Sequence, residues 1–277
     1  MGWSAGIFLL LWLIMAQSCM SFRKADDTAK REFTLEHVSL TTGTILVDGR
    51  HIHYALTGSD TLPTLFFIHG SPGSWDAFER YMKDSDLLRH FRMVSVDRPG
   101  FGHSDFGLPE HLARQSQLIS PLFTALENHH PKFIAGHSLG GPMAVKLVAD
   151  NPGLFSGLVI LSGSIDAAAE TPEKWRPVLF KTPLNYLVPG AMRPSNEELW
   201  YLKKDLIDLR SDFAKVTCPV QFVHGSIDPM VPPANVEFGR KVMVNARSVG
   251  VTMIPGANHF IPWTKFSEIK SILLKLY

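Results

Sequence analysis

The hydrophobic and polar positions change their period along the chain. Between residues 38 and 58, apolar and polar residues alternate, and Gly43 and Asp48-Gly49 fall where turns are expected. Alternation with a period of two is typical of strands that bury one face. The pattern therefore predicts antiparallel strands at the start of the folded domain.

Continuous apolar runs replace this alternation after Pro63. Each run ends in Gly, His, Asp or Ser, and the runs lie at 64–70, 92–97, 132–137, 157–163 and 220–225. Runs that are apolar on both faces are typical of a parallel sheet covered by helices. Helical patterns such as 112–128 and 142–150 lie between them, and this order predicts an α/β sheet with right-handed crossovers.

Residues 167–217 interrupt the alternation of strands and helices. This segment contains Trp175, Tyr186, Trp200 and Tyr201, and it is much longer than the dozen or so residues that a crossover needs. It predicts a mostly helical cap, inserted in a domain that spans 36–277. We expect the cap to lie over the strand ends and to supply the apolar walls of a pocket.

The N-terminal segment, residues 1–22, has no charged side chain, and Ile7 to Met15 are all apolar. A secretory signal has an apolar core of about 7–15 residues, whereas a membrane span needs about 20. Ala16-Gln17-Ser18-Cys19 resembles a bacterial lipoprotein signal, in which Cys19 becomes the lipidated first residue. A cleaved signal, a lipidated Cys19 and an uncleaved anchor all stay open. The sequence predicts an exported or membrane-anchored protein, with residues 23–35 as a polar tether.

Composition narrows the function classes. The 277 residues are 45% hydrophobic and carry a formal net charge of +1, so no charge pattern indicates a nucleic acid as partner. The two cysteines, Cys19 and Cys218, do not have the spacing of a zinc site. We therefore expect a small-molecule substrate, with no metal and no cofactor.

A candidate nucleophile lies at the end of the run 132–137. Residues 136–140, Gly-His-Ser-Leu-Gly, fit the pattern G-x-S-x-G between a predicted strand and a predicted helix. In that context the pattern describes a sharp turn that exposes a nucleophilic serine. A glycine-rich connection at a helix start is the alternative for Ser138.

A serine nucleophile needs a base and an orienting acid, and position selects both. His259 follows the last predicted strand, and Asp228 follows the strand 220–225. Ser138 also follows a strand, and the carboxyl ends of parallel strands meet at one edge of a sheet. A carboxylate beside the histidine fixes its tautomer. Asp166, after the preceding strand, is the rival acid, and His224 is expected in the core.

An oxyanion requires backbone N–H donors. The small residues of 69–75, His-Gly-Ser-Pro-Gly-Ser-Trp, follow the first buried strand. They could bring the N–H of Ser71 beside that of Leu139, the residue after the candidate nucleophile. An ordinary Gly-Pro turn is the alternative.

Five segments together resemble the α/β-hydrolase fold family over about residues 40–277. They are His69-Gly-Ser-Pro-Gly73, Asp97-Arg-Pro-Gly-Phe-Gly-His-Ser104, Gly136-His-Ser-Leu-Gly-Gly141, Gly225-Ser-Ile-Asp228 and Gly256-Ala-Asn-His259. The resemblance implies the α/β-hydrolase fold, with Ser138 as nucleophile, Asp228 as acid and His259 as base. It also implies an oxyanion hole made by the N–H groups of Ser71 and Leu139. The loop 97–104 is interpreted as structural support.

The leading hypothesis is a serine hydrolase that cleaves an ester or thioester with a hydrophobic part, through an acyl-enzyme. An aminopeptidase-like enzyme, a carbon–carbon bond hydrolase, a cofactor-free peroxidase-like activity and a non-catalytic ligand-binding protein remain alternatives. Epoxide hydrolases and haloalkane dehalogenases of the resembled family use Asp as nucleophile, and Ser138 argues against them.

Overall fold

A computed structural model describes residues 2–18 and 21–277 of the chain. Cys19, the residue predicted to be lipidated, lies outside the described residues. The central feature is an eight-stranded sheet with the order β1-β2-β4-β3-β5-β6-β7-β8. The strands are β1 (Thr41–Val47), β2 (Arg50–Thr57), β3 (Thr64–Ile68), β4 (Arg92–Val96), β5 (Lys132–His137), β6 (Phe155–Leu161), β7 (Val220–Gly225) and β8 (Val249–Ile254).

The strand directions match the two periodicities of the sequence. β2 pairs antiparallel with β1 and β4, and every pairing from β4 to β8 is parallel. The helices are α1 (Gly2–Ser18), α2 (Asp26–Leu35), α3 (Glu79–Met82), α4 (Ser85–His90), α5 (Leu112–Ala125), α6 (Gly140–Asp150), α7 (Arg176–Phe180), α8 (Met192–Asp208), α9 (Ala234–Val242), α10 (Ile261–Thr264) and α11 (Phe266–Leu273). The predicted α/β sheet is confirmed.

Hydrophobic cores lie on both faces of the sheet. All five residues of β3 are buried, and successive side chains of a strand point to opposite faces. Phe66 accordingly belongs to the core that contains Leu118 and Met143, whereas Phe67 belongs to the core that contains Phe33. Burial on both faces explains why these strands are continuous apolar runs.

Residues 23–35 differ from the expected polar tether. Residues 26–35 form α2, whose Ala29 and Phe33 are fully buried. The Phe33 ring lies 6.2 Å from the Trp75 ring, and the Lys83 ammonium lies 4.6 Å from the Phe33 ring centre. A largely polar segment with one apolar stripe was mistaken for a solvated linker, and α2 is part of the packed domain.

The N-terminal helix α1 packs against the cap at its C-terminal end. The Gly190 N–H donates to the Ala16 carbonyl over 2.7 Å, and the Gln17 amide donates to the Tyr186 and Val188 carbonyls, each over 2.9 Å. Most apolar side chains of α1 from Ile7 onward are exposed. Of the helices described here, α1 included, none has the length and apolarity to cross a membrane.

The cap comprises α7, α8 and short 3₁₀ turns, among them Pro183–Leu187. It lies between β6 and β7 in the sequence. Its helix α8 buries Leu202 and Leu206 in the same core as Phe66. The cap is thus fixed to the sheet domain through α8.

Candidate active site

Ser138 occupies a tight turn between β5 and α6. Its φ is +55°, in the left-handed region that non-glycine residues rarely adopt. The flanking glycines are required by space: a Cβ on Gly136 would lie 2.0 Å from the Gly140 carbonyl oxygen, and one on Gly140 would lie 2.2 Å from that of Ile68. These close approaches give a physical reason for the G-x-S-x-G pattern, and the turn matches the conformation of a nucleophile elbow.

Asp228 and His259 are brought together as predicted from their positions after β7 and β8. Asp228 Oδ2 and His259 Nδ1 lie 2.7 Å apart, and both side chains are buried. The other oxygen, Oδ1, accepts the backbone N–H groups of Met230 and Val231, each over 2.9 Å. The carboxylate is therefore held in place independently of the histidine.

The surroundings of Asp228 favour its ionised form. Burial by itself would raise the pKa of the carboxyl group, but the His259 hydrogen bond and the N–H groups of Val231 and Met230 outweigh burial and lower the pKa. An ionised Asp228 accepts the Nδ1–H of His259, which leaves Nε2 as the nitrogen able to take up a proton.

His137, the residue before Ser138, has a supporting position that the sequence did not reveal. Its ring lies 4.9 Å from that of His259 and 5.2 Å from that of Trp263. Burial, followed by the nearby His259, lowers the pKa of His137 to about 3. Neutral His137 therefore donates Nε2–H to the His259 carbonyl over 3.1 Å, and it holds the backbone of His259.

The loop 69–75 lies against the candidate nucleophile. A Cβ on Gly70 would lie 3.0 Å from the Ser138 Cβ and 3.2 Å from the His137 Nδ1. Within the described residues, the backbone N–H groups of Ser71 and Leu139 have no hydrogen-bond acceptor. Two free donors near one serine are what an oxyanion hole requires.

Arg98 fixes this loop from below. Its guanidinium group is fully buried and donates to the carbonyls of His69 and Gly70, each over 2.9 Å, and it forms an ion pair with Glu198 of α8. Burial and the Arg98 charge hold the pKa of His69 well below its usual value. Its neighbour Asp97 accepts the Trp75 N–H over 2.7 Å.

The two residues that the sequence left as alternatives have other partners. Asp166 accepts the N–H of Ala168 over 2.9 Å, within its own turn, while Asp228 makes the contact with His259. His224 is buried in β7, as expected, and donates from Nε2 to the Val231 carbonyl over 2.9 Å. His224 thus steadies the loop that carries Asp228.

A cavity of about 570 Å³ opens over Ser138 and His259. Its apolar lining includes Phe22, Met230, Phe260 and Trp263. Among the described residues, none from 167–217 lines it, so the prediction that the cap supplies the pocket walls is wrong. The cap instead acts on the loop 69–75, because the Ser71 hydroxyl donates to Ser195 over 2.9 Å and Glu198 pairs with Arg98.

Comparisons with known proteins agree with this architecture. A family model described as the alpha/beta hydrolase fold matches residues 63–187. The solved structure of a bacterial membrane phospholipase A, described as a virulence factor, superposes with a TM-score of 0.64 at 18% identity, over 99% of this chain and 95% of that one. The chain belongs to the α/β-hydrolase fold family, as the resemblance implied.

Sequence relatives are more distant in length. Epoxide hydrolase 4 of Mus musculus is 24% identical over 164 residues, which cover 57% of this chain and 45% of that protein. The pimeloyl-[acyl-carrier protein] methyl ester esterase of Nitrosomonas europaea is 23% identical, over 78% of this chain and 95% of the esterase. The chain thus spans less than half the length of the first of these relatives.

Proposed function

We propose that this protein is a serine hydrolase that cleaves a carboxylic ester or thioester of a hydrophobic small molecule. The observation that carries the proposal is the hydrogen-bonded pair Asp228–His259, which shares one cavity with Ser138 on a left-handed turn. Similarity to the esterase of Nitrosomonas europaea supports the choice of an ester. The apolar lining of the cavity supports a hydrophobic substrate.

The proposed reaction follows from the positions of these groups. His259 Nε2 takes the proton of the Ser138 hydroxyl as Ser138 Oγ attacks the substrate carbonyl, and Asp228 stabilises the imidazolium. The N–H groups of Ser71 and Leu139 stabilise the tetrahedral oxyanion. The imidazolium then protonates the leaving alcohol or thiol, and water releases the acid from Ser138 by the same steps in reverse.

A serine at the elbow favours acyl transfer over epoxide opening, because hydrolysis of an epoxide on this fold uses an Asp nucleophile. An aminopeptidase-like or carbon–carbon bond hydrolase would use the same residues. The apolar lining at Phe260 and Trp263 favours the ester reading over a charged peptide terminus. A ligand-binding protein without turnover is the remaining alternative.

A fluorophosphonate probe tests the proposal directly. We expect stoichiometric labelling of Ser138, identified by peptide mass spectrometry, and loss of labelling in Ser138→Ala. Turnover of p-nitrophenyl esters should fall about 10⁴-fold or more in that variant. The exposed serine variant Ser267→Ala is the control and should behave as the wild type. An unlabelled, folded wild-type protein would show that the pocket only binds ligands.

We also propose that α1 attaches the protein to a lipid surface. Its exposed apolar side chains include Phe8 and Leu11, and residues 1–22 carry no charged side chain. Apolar helices of this kind bind at the boundary between lipid headgroups and acyl chains. Cleavage and lipidation at Cys19, with export, stays a prediction that mass spectrometry of protein from the native host can test.

Vesicle flotation measures lipid attachment independently of catalysis. We expect the wild type to float with phosphatidylcholine–phosphatidylglycerol vesicles, and a Phe8→Lys/Leu11→Lys variant to stay in the soluble fraction. Leu46→Lys, at an exposed apolar position on β1, should float like the wild type. Equal flotation of the α1 variant would contradict the proposal.

A further inference from the structure

Phe22 lines the cavity over Ser138 although it precedes the sheet domain. It belongs to the segment 21–26, which joins α1 to α2 and which we call the strap. Its side chain is 50% exposed, and its φ is +49°. A half-exposed phenylalanine in a left-handed conformation persists only where its surroundings hold it there.

The strap is held by charged and aromatic contacts on the domain. Lys24 forms ion pairs with Glu32 and Glu79. The His103 imidazole donates to the Lys24 carbonyl over 2.9 Å. The Arg23 guanidinium lies 5.1 Å from the centre of the Phe106 ring. These contacts immediately follow Phe22 and fix its backbone on the C-terminal side.

A second group of contacts fixes the strap at its other end. Asp26, at the start of α2, lies 3.3 Å from the His53 imidazole, and His53 in turn contacts the buried Asp97 over 2.8 Å. Burial by itself would lower the pKa of His53, but Asp97 and Asp26 outweigh it and raise the pKa. The strap is thus tied to the loop that supports the candidate active site.

The position of Phe22 has a consequence for substrate choice. The cap contributes no described residue to the cavity lining, so Phe22 supplies apolar surface from a different part of the chain. Together with Met230, Phe260 and Trp263 it offers apolar contacts remote from the reacting carbonyl. Binding energy from such remote contacts raises the specificity constant for substrates long enough to reach them.

We propose that Phe22, positioned by the strap, is a specificity-determining residue that selects esters with an extended hydrocarbon chain over short ones. This proposal rests on the proposed function of the site. Phe22 follows Cys19 in the chain, so it remains with the domain whether α1 is retained or removed before Cys19. The proposal therefore holds for either form of the protein.

The test compares p-nitrophenyl octanoate with p-nitrophenyl acetate. Phe22→Ala should lower kcat/KM for octanoate about tenfold, a typical effect of lost apolar pocket contacts, and change kcat/KM for acetate less than about twofold. Phe22→Leu should recover most of the preference. Trp175→Ala is a matched control, because Trp175 is an aromatic side chain of equal 50% exposure that does not line the cavity.

An unchanged octanoate-to-acetate ratio in Phe22→Ala, or an equal change in Trp175→Ala, would overturn the proposal. Binding without turnover separates it from the proposed function. In a Ser138→Ala background, calorimetric titration with methyl octanoate should show weaker binding after Phe22→Ala. If the wild type neither reacts with fluorophosphonate nor cleaves esters, but binding still depends on Phe22, the proposed function fails and the role of Phe22 in ligand selection stands. Binding that is independent of Phe22 overturns that role alone.

Discussion

Arg98 and Glu198 form a buried ion pair that joins the loop 69–75 to the cap helix α8. Arg98 also holds the carbonyls of His69 and Gly70. Removing one partner of a buried ion pair leaves an uncompensated charge. We therefore expect Glu198→Ala to lower the free energy of unfolding by about 3–5 kcal/mol and to reduce kcat, because loop 69–75 loses its support.

Urea unfolding and ester kinetics measure the two effects. Asp208→Asn is the control, since Asp208 pairs with Lys204 on the exposed side of the same helix. It should change neither quantity measurably. A Glu198→Ala variant with wild-type stability would show that the Arg98 charge has other sufficient partners, such as Gln115.

Asp228→Asn should lower kcat about 10⁴-fold, because an amide cannot hold His259 in the tautomer that accepts a proton at Nε2. The loop should survive, since the backbone N–H donors of Met230 and Val231 can still find the amide oxygen. Asp166→Asn, the rival acid, should keep wild-type kcat. The reverse ranking in steady-state ester kinetics would reassign the acid to Asp166.

His137 should make the protein less stable in mild acid. Its folded pKa of about 3 lies below the unfolded value of 6.5, so the unfolded chain binds an extra proton once the pH falls below about 6.5. Between pH 6 and 5 this costs about 1 kcal/mol per pH unit. In His137→Gln that part of the slope should disappear.

Urea unfolding at several pH values gives the slopes. His90→Gln, at an exposed position on α4, is the matched control and should retain the wild-type slope. Parallel stability curves for the wild type and His137→Gln would mean that His137 takes up its proton equally in both states. His69 and His224 remain in every variant and do not affect the comparison.

Phe33→Ala should destabilise the protein by about 3–5 kcal/mol, the usual cost of removing a buried phenylalanine. Phe33 is fully buried, whereas Leu35 on the same helix is 80% exposed. Leu35→Ala should therefore leave the free energy of unfolding nearly unchanged. If both variants are equally stable, α2 is a loosely attached segment and the tether interpretation was correct.

The sequence predicted most of the sheet because burial on both faces gives continuous apolar runs such as β3 and β5. It also placed Ser138, Asp228 and His259 at one edge, because the carboxyl ends of parallel strands meet there. The contact between Asp228 and His259 follows from that topology. The roles of these residues in catalysis remain predictions for the experiments above.

Other features could not be predicted from local pattern. Phe33 is one aromatic residue in a polar segment, and its burial depends on Trp75 far along the chain. Glu198 has the same composition as any solvated helical glutamate, and its burial depends on Arg98 one hundred residues earlier. Phe22 reaches the cavity because the strap crosses the domain. Such long-range contacts leave no periodic signal in the sequence.

The order of the strands also constrains synthesis of the protein. β5 carries Ser138 in the middle of the sheet, whereas Asp228 and His259 follow β7 and β8, which are added at one border. Chains emerge from the ribosome N-terminus first. A nascent chain can therefore form the turn of Ser138 well before His259 exists, and the reactive assembly is completed only when the last strand has paired.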